Sequence, residues 1–69
     1  MESNNFSSQV TTILTAAQLR SLYDILYESQ VPFEARIRKA DSGRHVTIMC
    51  HEADLCYWQQ RIIDLGGRL

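Results

Sequence analysis

His45, Cys50, His51 and Cys56 are the side chains of this sequence best suited to ligate a soft metal or to serve as nucleophile and base. Zinc would require them to converge. His45 and Cys50 stand an odd number of residues apart, which on one strand turns them to opposite faces, and the spacings reproduce no paired Cys-x-x-Cys arrangement. No metal site is expected. Cys50 precedes a predicted helix, whose dipole could lower a thiol pKa, and His51 and Glu52 adjoin it. Adjacent residues seldom face each other usefully, however, and nothing supplies an oxyanion hole or a large cleft, so neither catalysis nor a bound cofactor is expected. The two cysteines read as free thiols, because a secreted chain of this size usually carries more of them.

A second constellation is basic. Arg36, Arg38, Lys39, Arg44 and His45 gather on the solvent side and tip of one predicted hairpin, opposed only by Glu34 and Asp41. A two-stranded ribbon can enter a major groove or track phosphates, so these residues are the candidate nucleic-acid contacts. Two facts weigh against that use. Exposed strands ordinarily carry long charged side chains, and no aromatic residue is interleaved to stack a base. Seven Lys and Arg against eight Asp and Glu leave a formal charge of −1, which does not mark a general nucleic-acid binder.

The elements that must position these residues follow from periodicity. Phe33, Ala35 and Ile37 alternate with Glu34, Arg36 and Arg38, and Val46, Ile48 and Cys50 alternate with His45, Thr47 and Met49, the pattern of two half-buried strands. The break between them, residues 39–44, holds Asp41-Ser42-Gly43, a turn sequence. Residues 9–14 are β-branched and predict a first strand, with Val10, Thr12 and Leu14 on one face and Thr11 and Ile13 on the other. Thr15 with Gln18 forms a capping-box pattern ahead of a helix over 16–29, on which Leu19, Leu22, Tyr23, Ile25, Leu26 and Tyr27 share one arc. Pro32 prevents its continuation. Leu55, Trp58, Ile62 and Leu65 recur at helical spacing after Glu52 and Asp54, with Gln59 inside the apolar arc, Tyr57 on the polar side and Gly66-Gly67 at the end.

The order strand, helix, strand, strand, helix predicts an α+β domain over 9–69, preceded by a polar, disordered tail over 1–8. Both helices should cover one face of a three-stranded sheet, a ferredoxin-like layout lacking the last strand. Strand one should lie at an edge, beside strand three and parallel to it, with strand two on the far side. The amino terminus shows neither the basic nor the apolar segment of a secretory signal, and no apolar run approaches the length of a membrane span, so a cytoplasmic protein is expected.

In a chain of 69 residues a single core barely outweighs chain entropy, so a partner is expected to contribute. Val10, Thr11, Thr12 and Ile13 are the candidate partner-binding residues. Their strand lies at an edge, uncharged and free of proline, and so lacks the devices that normally protect an edge. A non-enzymatic interaction or regulatory module, homodimeric through 9–14, is the expected function. A nucleic-acid-binding protein using the basic hairpin is its rival.

Overall fold

A computed structural model describes residues 6–69. The elements are β1 (Ser8–Leu14), α1 (Ala16–Glu28), β2 (Glu34–Ala40), β3 (Gly43–Cys50), one 3-10 turn (Glu52–Asp54) and α2 (Leu55–Asp64). β1 begins one residue before its expected start. Ahead of it, Phe6 packs edge-on against His51 with ring centroids 4.9 Å apart, so the domain reaches back into the stretch expected to be a tail. Residues 1–5 of that stretch lie outside the described residues.

The strand order is β1-β3-β2, as the sequence predicts, but both pairings are antiparallel. The expected parallel pairing of strands one and three is therefore corrected. The crossover rule fixes the direction of β2 relative to β1, both of which run the same way on either side of α1. β3 returns from a hairpin and fills the gap between them in the opposite sense.

The hairpin turn is tighter than the six-residue break suggested. Ala40 pairs with Gly43, Lys39 with Arg44 and Arg38 with His45, leaving only Asp41 and Ser42 as the turn. Gly43 takes a φ of +153°, and a Cβ there would collide with the Leu14 carbonyl of β1. This position therefore combines a turn with a close strand approach that only glycine permits.

Val10, Thr12 and Leu14 of β1 and Val46, Ile48 and Cys50 of β3 are buried on one face, beneath Leu19 and Leu22 of α1 and Trp58 and Ile62 of α2. Both helices thus lie on a single face, as expected. The apolar arc of α1 is narrower than the sequence implied: Tyr23 is 50 % exposed and Tyr27 91 % exposed. On α2, Ile63 is 51 % exposed and Cys56 is also exposed, so that flank of the arc lies outside the core.

Local signals at the helix ends behave as their chemistry requires. The Thr15 hydroxyl accepts from the Gln18 amide at 3.1 Å, while the Gln18 side chain accepts from the Thr15 amide at 2.9 Å, completing the capping box. After α2, the Gly66 amide donates to the Ile63 carbonyl and the Gly67 amide to the Ile62 carbonyl, with Gly66 at φ +91°. These bonds form a Schellman closure. The chain then turns back along the helix-covered side of β1, where the Thr12 hydroxyl donates to the Arg68 carbonyl at 2.6 Å.

Candidate functional site: an open edge and an open face

β1 is an edge strand, and the ladder dictates where its backbone groups point. Ala40 and Gly43 close a two-residue turn, so they are the pair that exchanges both backbone bonds. Every second residue of β3 from Gly43 onward, namely His45, Thr47 and Met49, then bonds toward β2. The alternate set Arg44, Val46, Ile48 and Cys50 bonds toward β1, opposite Leu14, Thr12, Val10 and Ser8. The approach of the Leu14 carbonyl to Gly43, next to the Arg44 amide, agrees with this phase. The N–H and C=O groups of Gln9, Thr11 and Ile13 are consequently directed away from the sheet. Among the described residues no backbone bond from another segment meets them.

Of the four candidate partner-binding residues, Val10 and Thr12 are buried toward the helices. Thr11 and Ile13 are exposed, and Ile13 retains 47 % of its surface. The edge is bordered by a depression of about 470 Å³ lined by Thr11, Thr12, Ile13, His45, Gly66 and Arg68. Its ionisable lining groups, Arg68 and His45, are both basic. The C-terminal segment contributed to this border without any signal in the sequence, since nothing there foretells the bond from Thr12 to Arg68.

The face of the sheet opposite the helices is uncovered by any described element. Its register forms rows across the three strands: Gln9, Met49 and Glu34, then Thr11, Thr47 and Arg36, then Ile13, His45 and Arg38. Gln9, Arg36, Arg38, His45, Thr47 and Met49 line a shallow depression of about 340 Å³ there. Arg36 lies 3.7 Å from Glu34, and both side chains are more than half exposed, so that ion pair leaves the guanidinium available. Lys39 and Arg44 fall on the other parity, at the rim of the helix-covered face. Three of the five basic residues therefore share the open face, and two do not.

The thiol constellation is dispersed. Cys50 is fully buried, and burial, followed by the nearby Asp54 carboxylate, pushes its pKa up, opposite to the lowering that a helix start could provide. Cys56 is exposed on α2, and both cysteines are free. His45 lies on the open face while Cys50 points into the core, so these two cannot share a ligand.

Comparison with known proteins adds no assignment: no family model, curated protein or solved structure matches this chain.

Proposed function

We propose that this chain is a small, non-enzymatic protein-interaction module, working inside the cell, that docks a partner through the open edge of β1. The observation that carries this reading is the outward set of backbone groups on Gln9, Thr11 and Ile13, on an edge with no charged side chain, proline or bulge to protect it. Each outward donor and acceptor can extend the sheet by one more bond. In the ferredoxin-like reading of this layout, the slot along β1 is where a further strand would pair. A reducing interior suits an exposed free Cys56 beside a buried free Cys50. No described helix is long and apolar enough to cross a membrane. Thr11→Pro tests the reading, since it deletes an outward donor without touching the ladder to β3. Partners captured from the native cell by wild-type chain should be lost with Thr11→Pro and retained with Arg36→Glu; retention by both variants would refute docking at this edge.

The rival reading, nucleic-acid binding, draws its support from Arg36, Arg38 and His45 sharing the open face. It predicts an affinity that falls steeply with salt and is removed by Arg36→Glu with Arg38→Glu, whereas edge pairing predicts a shallow salt slope.

A further inference from the structure

We infer that the occupant of the β1 edge is a single extended strand of another polypeptide, alternating apolar with acidic side chains, and not the β1 strand of a second copy. This inference rests on the edge-docking reading above. Its first support is steric. α2 packs chiefly on β1, the edge strand, whereas α1 packs on β1 and β3. Two copies joined β1 to β1 antiparallel, about a two-fold axis normal to the sheet, would bring those strands to about 4.8 Å with both α2 helices on the same face at a similar separation. Packed helices require about 8 to 10 Å. A lone strand brings no helix of its own and meets only residues 66–68 at the Leu14 end of the edge, where the Arg68 carbonyl accepts from Thr12.

The second support is the chemistry around the vacancy. The right-handed crossover from β1 through α1 to β2 places α1 on one side of α2 and the open edge on the other. The α2 flank holding Cys56, Gln59 and Ile63 is then turned over the vacant position, which explains why Ile63 keeps 51 % of its surface. Alternate residues of an added strand would bury against this flank, and apolar side chains suit it. The remaining residues would face the side of Ile13 and His45, and the depression along the edge, which Arg68 borders from the Thr12 side, has two basic lining groups and no carboxylate. Acidic side chains complement the charge of Arg68.

Two short synthetic peptides test this, one alternating valine with glutamate and the other with lysine in place of each glutamate, each titrated into the full chain labelled for amide hydrogen exchange. At a peptide concentration about ten times Kd, the glutamate peptide should slow exchange at Gln9, Thr11 and Ile13 by about tenfold, leaving Val10 and Thr12 unchanged. The lysine peptide should bind about fivefold more weakly. Equal or tighter binding of the lysine peptide would overturn the acidic assignment. Protection of the same amides by rising protein concentration alone, with dimer mass in light scattering, would make a second copy the occupant and overturn the inference while sparing edge docking. If neither peptide nor concentration protects those amides, both this inference and the edge-docking reading fail.

Discussion

Ile48 gives the sharpest test of the packing. It is fully buried on the central strand, flanked by Val10 on β1 and Ala35 on β2. Ile48→Ala removes three carbons, worth about 2.4 kcal/mol of transfer free energy. An unrelaxed cavity of about 60 Å³ adds about 1.5 kcal/mol, giving a loss near 4 kcal/mol. A domain of this length has a total stability of about 7 kcal/mol, so the variant would keep less than half of it. Ile48→Val, which removes one carbon, should cost about 1 kcal/mol and lower the urea midpoint by about 1 M. The single tryptophan, Trp58, is fully buried, so its fluorescence reports the transition directly. Arg36→Ala, on the exposed face, should move the midpoint little. If Arg36→Ala destabilises more than Ile48→Ala, the hairpin register is off by one and every face assignment on it reverses.

Three further outcomes are expected. Under native conditions alkylation should modify Cys56 rapidly and Cys50 only after unfolding, as mass spectrometry would show. Because the pKa of Cys50 is raised in the fold, its contribution to stability is complete below the unfolded thiol pKa and is lost as pH rises through the folded one; Cys50→Ala should flatten that alkaline loss in urea titrations. Gly43→Ala should cost about 2 kcal/mol or more in the same unfolding assay, since its backbone angle and the Leu14 carbonyl both oppose a Cβ. Thr12→Val should cost about 1 kcal/mol by removing the donor to Arg68, and should speed amide exchange in the tail after Gly66.

The hairpin faces were legible because period-two alternation assigns each side chain a side, and one buried face makes the register unforgiving. The caps of both helices were legible for a similar reason, each being a local bond between residues close in sequence. What escaped the sequence depends on the third dimension. Tyr23 and Tyr27 share an arc with Leu22 and Leu26, yet the breadth of an apolar arc does not say how much of it a three-stranded sheet can cover. The basic cluster divided because the turn closes at Ala40 and Gly43, which puts Lys39 and Arg44 on one parity and Arg36, Arg38 and His45 on the other. The edge at β1 was foreseen from strand order. The placement of α2 over it was not.

Residue-resolved hydrogen exchange along β1 in the dilute chain tests the central claim most directly. The ladder phase predicts slow exchange at Val10, Thr12 and Leu14, whose amides bond to β3, and fast exchange at Gln9, Thr11 and Ile13, whose amides face the open edge. Slow exchange at Gln9, Thr11 and Ile13 with fast exchange at Val10 and Thr12 would contradict it, because the edge would then carry no free donors with which to extend the sheet.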